Sequence, residues 1–153
     1  DRMKFIETLL DVSKNKISFQ LLGMFNEQPK WNFDFEKELM FSKTALNLSR
    51  GGPTKYSSSN RIASLMGNGI LTFIDEKVKY QDFFDNDEII TYRNPNDLIS
   101  KLLSIKDNHR LLIRRSKKAK KRYFEIFENS IVADFMICKI FETKNKFKHV
   151  WNK

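Results

Sequence analysis

Residues 45–75 read ALNLSRGGPTKYSSSNRIASLMGNGILTFID, and their pattern decides the fold. Ala45–Ser49 is a short, largely apolar run that passes straight into loop residues, which predicts a buried strand. Arg50-Gly-Gly-Pro-Thr-Lys-Tyr56 follows, and Gly51, Gly52 and Pro53 break regular structure there. Ser57, Ser58 and Ser59 supply side-chain oxygens able to cap a helix N-terminus. Ile62, Leu65 and Met66 then share one helical face at i, i+3 and i+4. Gly67-Asn68-Gly69 stops that helix, because Gly and Asn accept the left-handed conformation in which helices end. Ile70–Ile74 is the next strand, with Asp75 at its C-terminal end.

This unit suits an anion. A helix N-terminus presents unpaired backbone N–H groups and a partial positive charge. Gly51 and Gly52 have no side chain to keep a ligand from the backbone, and Arg50, Lys55 and Arg61 bring three cations to the same end. Arg61 falls in the first helical turn, where a cation opposes the helix dipole. A bound phosphate accounts for that placement. The alternative is an arginine that simply extends into solvent.

Composition sets the bounds. The 153 residues suffice for one domain with a proper core, and 41% of them are hydrophobic, so the chain folds. The 14 phenylalanines are assigned mainly to that core, although a face left uncovered by a missing domain would look the same in sequence. No apolar run approaches the ~20 residues of a membrane span, and no signal-peptide pattern opens the chain. The lone Cys138 cannot pair internally, and no Cys/His spacing suits a metal, so neither metal nor cofactor is expected and a cytoplasmic setting fits. The net charge of +9 points to an acidic partner: nucleotide, nucleic acid or an anionic membrane surface. Because residue 1 is aspartate, the expectation is a single domain, 1–153, excised or truncated from a longer protein, with processing of a start residue as the alternative.

Outside the central unit, Met3–Asn15 is an amphipathic helix with a stripe of Phe5, Ile6, Leu9, Leu10 and Ser13. Ile17–Gly23 reads as a strand. Phe33–Ser42 reads as a helix that turns Leu39 and Met40 to the core. Tyr80–Phe84 is a short turn or helix, and Glu88–Tyr92 a short strand. Asn94-Pro95 opens a helix, as N-cap and first helical residue, whose buried face is Leu98, Ile99, Leu102 and Leu103. A long helical region runs from about Arg110, broken near Glu128–Ser130, with Ser130 capping a last helix through Phe141. Strands alternating with helices predict an α/β, Rossmann-like three-layer domain with a mostly parallel sheet of about four strands and a long C-terminal helical region. Ligands of such sheets bind beyond the C-terminal strand edges, where the Arg50–Ser59 loop and Asp75 fall.

Taken in order, Leu46-Asn-Leu-Ser-Arg-Gly-Gly52, Lys55-Tyr-Ser-Ser-Ser-Asn-Arg-Ile62, Met66-Gly-Asn-Gly69 and Leu71-Thr-Phe-Ile-Asp75 resemble the C-terminal half of bacterial GT-B glycosyltransferases, of the Glyco_trans_1_2, family-1-like type. The resemblance covers about Arg2 to Phe141. It implies the donor-binding half of an enzyme that moves a glycosyl group from a nucleotide diphosphate sugar to a glycan, lipid or other acceptor, as in cell-surface polysaccharide synthesis. A missing N-terminal domain would hold most of the acceptor site, and the chain alone would be inactive. By the same resemblance, Arg50, Lys55 and Arg61 neutralise the donor diphosphate without a metal. Ser58, Ser59 and the backbone of Gly51 and Gly52 add hydrogen bonds, with Tyr56 and Asn60 in the same stretch. Many relatives hold the donor ribose with a glutamate in the following helix. Ser64 stands at that place here, so ribose recognition differs or activity is lost. Ser64 and Asp75 are the candidate ribose or sugar contacts.

The basic run Arg114–Arg122 offers a competing function, a noncatalytic module for nucleic acid or an anionic membrane. The plainer reading, which we prefer, is a solvated helix face opposite Leu112, Ala119 and Tyr123. That leaves peripheral contact with the inner face of a membrane as the second choice and nucleic acid as the least expected partner. His109 and His149 are expected at the surface, and Cys138 in the core.

Overall fold

The computed structural model describes residues 2–14, 16–49 and 51–151. Three strands, β1 (Thr44–Asn47), β2 (Leu71–Asp75) and β3 (Ile90–Tyr92), form a parallel sheet in the order β1-β2-β3. Leu46 stands opposite Phe73, and Phe73 opposite Ile90, so β2 is the centre. Among the described residues six α-helices surround it: α1 (Arg2–Ser13), α2 (Asn32–Met40), α3 (Asn60–Gly67), α4 (Pro95–Ile105), α5 (His109–Phe127) and α6 (Asn129–Phe141).

Alternation along β2 and β3 divides the core in two. Leu71 and Phe73 of β2, with Ile90 and Tyr92 of β3, pack with Leu9 of α1, with Leu98, Ile99, Leu102 and Ile105 of α4, and with Leu112. Ile74 turns the other way, onto Ile62 and Met66 of α3 and Ala119 and Ile126 of α5. The expected three layers therefore form, helices on both faces of a parallel sheet. The connection from β2 to β3 is not an α-helix. It is two short 3-10 turns, Glu76–Val78 and Tyr80–Asp82, whose Val78 and Tyr80 bury against the α3 and α5 side.

The central unit folds as its local signals direct. Ser59 caps α3 by accepting from the Ile62 amide. At the other end Asn68 stays in right-handed helical geometry, and Gly69 alone takes the left-handed conformation, at φ +75°. The amides of Gly69 and Ile70 then donate back to the carbonyls of Met66 and Leu65, and Ile70 packs on Leu65. This is a Schellman ending with its apolar contact. Asn94 caps α4 as expected, accepting from the Asp97 amide at 2.9 Å.

Several expectations are corrected. About four strands were expected and three form among the described residues, because Ile17–Gly23 is not a strand. Ile17 and Phe19 bury partly against the α1 and α4 layer. Gln20 is held by its side chain to Glu38 of α2, which also accepts from Lys30. Gly23, Phe25 and Asn26 then turn the chain through left-handed conformations. Apolar content here buys contact without a ladder partner. Asn15, read as the end of the first helix, lies outside the described residues. Leu39 is buried, but Met40 is 83% exposed. On α4 the fourth fully buried residue is Ile105, with Leu103 only partly covered. Ser130 does not cap α6, which begins at Asn129 after Glu128. The phenylalanines are not mainly core. Only Phe73 and Phe84 are fully buried, and Phe25, Phe33, Phe41, Phe124, Phe141 and Phe147 are exposed.

His149 is not a surface residue either. Its ring is buried, stacks on Trp151 at 5.6 Å between ring centres, and meets Asp134 of α6 at 3.1 Å. The C-terminal segment thereby folds back along α6, and Val150 and Trp151 cover the aromatic end of the α5 core. Cys138 is buried as expected, and His109 is exposed.

Candidate functional site

Because β1 and β2 are parallel and α3 follows β1, the start of α3 lies at the C-terminal edge of the sheet. Asn47, the last residue of β1, is a buried polar side chain. Its Oδ1 accepts from the Ser59 hydroxyl at 3.4 Å, which ties the strand end to the helix cap. Two residues into α3, Arg61 Nη1 donates to the Leu48 carbonyl at 2.9 Å, just beyond β1. Arg61 is exposed, but one end of its guanidinium is tied to the chain. That bond holds it against the strand end, beside the Ser59-capped N-terminus of α3.

A second guanidinium arrives at the same oxygen. Arg2, the first residue of α1, donates from Nη2 to the Leu48 carbonyl at 3.4 Å. The sequence reading passed over Arg2. The signal available for it was the one used for Arg61, a cation in the first turn of a helix, where the dipole disfavours it.

The other predicted residues divide. Arg50 lies outside the described residues. Gly51, at φ +78°, and Gly52 are exposed, with nothing crowding either position. Lys55 lies over the Tyr56 ring at 4.6 Å, and the Tyr56 hydroxyl donates to Asp82 at 2.6 Å. The Tyr56 amide bonds the Val78 carbonyl at 2.8 Å, and Ser58 shares a side-chain hydrogen bond with Tyr80. Burial raises the Tyr80 phenol, with Ser58 opposing. Lys55, Tyr56 and Ser58 are thus anchored on the turns after β2, whereas Ser59 and Arg61 are anchored on the end of β1. Asn60 opens α3 and is exposed.

Ser64 donates its hydroxyl back to the Asn60 carbonyl at 3.1 Å, inside its own helix. Asp75 ends β2 and accepts from the Lys77 amide at 2.8 Å, capping the turn that follows. Its charge adds to burial, the larger cause, in pushing the Tyr92 phenol well above its ordinary value.

Part of the basic run of α5 is taken up by structure, while Arg114, Lys117, Lys120 and Lys121 stay exposed. Arg115 donates to the carbonyls of Asn86, Asp87 and Ile89, and Arg122 to that of Phe83. Lys118 pairs with Asp87. These cations staple α5 to the loop before β3, and burial lowers the Arg115 pKa. Arg115→Met leaves three carbonyls without that donor. We expect a cost of roughly 2 kcal/mol in urea unfolding, against within about 0.5 kcal/mol for the exposed Arg114→Met.

Two surface clefts lie away from this edge. One, of about 540 Å³, is bounded by Cys138, Lys139 and Glu142–Asn145. The other, of about 240 Å³, lies between β3, α4 and Arg115. Among the described residues no His, Cys, Asp and Glu cluster could hold a metal, and no helix is long and apolar enough to cross a membrane.

Fold and site together define a Rossmann-like α/β domain with a cationic mouth at the C-terminal edge of its sheet. A family model described as glycosyl transferase-like matches residues 2–136, and the chain belongs to that family. Membership suggests glycosyl transfer. No curated protein and no solved structure gives a match.

Proposed function

We propose that this domain binds the diphosphate of a nucleotide-sugar donor at the C-terminal edge of its sheet. It serves as the donor-binding half of a GT-B glycosyltransferase that passes the glycosyl group to a glycan, lipid or other acceptor. The observation that carries this reading is Arg61, held by the Leu48 carbonyl beside the capped N-terminus of α3. In glycosyl transfer the bond from the anomeric carbon to the diphosphate breaks, and the departing oxygen keeps the electron pair. A fixed guanidinium and oriented backbone N–H groups stabilise that developing charge. Lys55, Ser58 and the backbone of Gly51 and Gly52 extend the same cationic, hydrogen-bonding rim. We place the acceptor on another domain of the same protein. Donor recognition uses no metal, and Ser64 replaces the ribose-binding glutamate of many relatives with a group committed to its own helix.

Calorimetry with UDP and GDP at low and moderate salt tests this, with a single-stranded oligonucleotide as control. The expected result is saturable binding of one nucleotide, weakened roughly tenfold or more by Arg61→Gln, since a charge-assisted bond is lost. Salt-sensitive oligonucleotide binding without nucleotide binding would overturn it and move the function to the exposed cations of α5.

A further inference from the structure

We propose that Arg2 is a second phosphate-binding guanidinium of this site, gripping the same diphosphate as Arg61 from the α1 side. The inference rests on the donor reading above for its ligand, but its evidence is separate. Arg2 and Arg61 come from the starts of two different helices and donate to one oxygen, the Leu48 carbonyl. A neutral carbonyl accepts a hydrogen bond from Arg2 but does not offset its positive charge. No carboxylate among the described residues forms an ion pair with Arg2.

The Nε–H of Arg2 is withdrawn from solvent and has no hydrogen-bond partner. A buried donor on a charged group is costly to leave unpaired, and an oxyanion supplies both the missing acceptor and the missing charge. The guanidinium fork suits adjacent phosphate oxygens better than an ammonium does. Two such groups converging on one point match a ligand with two linked phosphates, a diphosphate, better than a single carboxylate. The place is the edge of a parallel sheet at which ligands bind.

The test compares the wild-type chain with Arg2→Gln, Arg2→Lys and Arg61→Gln, using UDP, GDP and inorganic pyrophosphate in calorimetry and thermal melting. We expect Arg2→Gln to weaken the diphosphate ligands at least tenfold and to abolish their stabilising shift in melting temperature. Arg2→Lys recovers part of both. If Arg61→Gln weakens nucleotide binding while Arg2→Gln changes it less than twofold, the Arg2 assignment is overturned and the donor reading stands. A lower melting temperature of unliganded Arg2→Gln with unchanged affinity has the same meaning, a purely structural arginine. Pyrophosphate binding that needs Arg2, with no response to either nucleotide, supports the clamp and removes the donor reading. No response of the wild-type chain to any of the three overturns both.

Discussion

Phe73→Ala lowers stability by about 3–5 kcal/mol, a large share of what a domain of this size holds. Phe73 sits at the middle of the central strand, paired to Leu46 on one side and Ile90 on the other. Its ring is 2% exposed and lies in the cluster that joins α1 and α4 to the sheet. Truncation removes its transfer free energy and leaves a cavity between two strands that cannot close on it. Urea unfolding followed by circular dichroism gives the number as a shift in midpoint with an unchanged slope. Phe41→Ala is the control. That ring is 77% exposed, and its loss should change stability by no more than about 0.5 kcal/mol. Equal effects at the two positions would contradict the packing described here.

Asp134→Ala frees the C-terminal segment. Asp134 accepts from the amides of Lys146 at 3.0 Å and Phe147 at 3.3 Å and from the buried His149 at 3.1 Å. No other side chain offers that segment a comparable acceptor among the described residues. We expect trypsin to cut at Lys144, Lys146 and Lys148 roughly tenfold faster or more in the variant, because local opening becomes easier while the sheet is untouched. An unchanged cleavage rate would show that Trp151 packing alone holds the segment.

Acid should do the same. Burial raises the Asp134 carboxyl, but the Phe147 amide, His149 and the Lys146 amide outweigh it and hold the pKa below its ordinary 3.8. A depressed folded pKa contributes stability that is complete above the unfolded value and is lost as pH falls through the folded one. The contribution of Asp134 to holding the segment is therefore complete above about pH 4 and is lost as pH falls further, through the lower folded value. Trp151 fluorescence in a Trp31→Phe background, followed from pH 6 to pH 2, reports the step. A flat profile through that range would contradict it.

How much was legible differs by element. The β1–α3–β2 unit was readable because its signals act within a few residues: the Ser59 cap, the spacing of Ile62, Leu65 and Met66, and the Gly69 ending. Asn94-Pro95 marked α4 for the same reason. Arg61 was legible as a cation set against a helix dipole, whereas its partner on the Leu48 carbonyl was not. Ile17–Gly23 had the composition of a strand, but strand formation needs a neighbour, and composition does not supply one.

By itself, then, the sequence determined the helices and strands whose caps and periodicity are local, the α/β class that follows from their alternation, and the placing of a basic glycine loop after a strand. Tertiary structure alone decided that Arg2 and Arg61 share the Leu48 carbonyl, that His149 is buried on Asp134, that Arg115 and Arg122 staple a loop, and that Met40 and Phe41 face outward. Each of these depends on which distant segments come together, and that is fixed by the burial and hydrogen-bond satisfaction of the whole domain and not by any one stretch of chain.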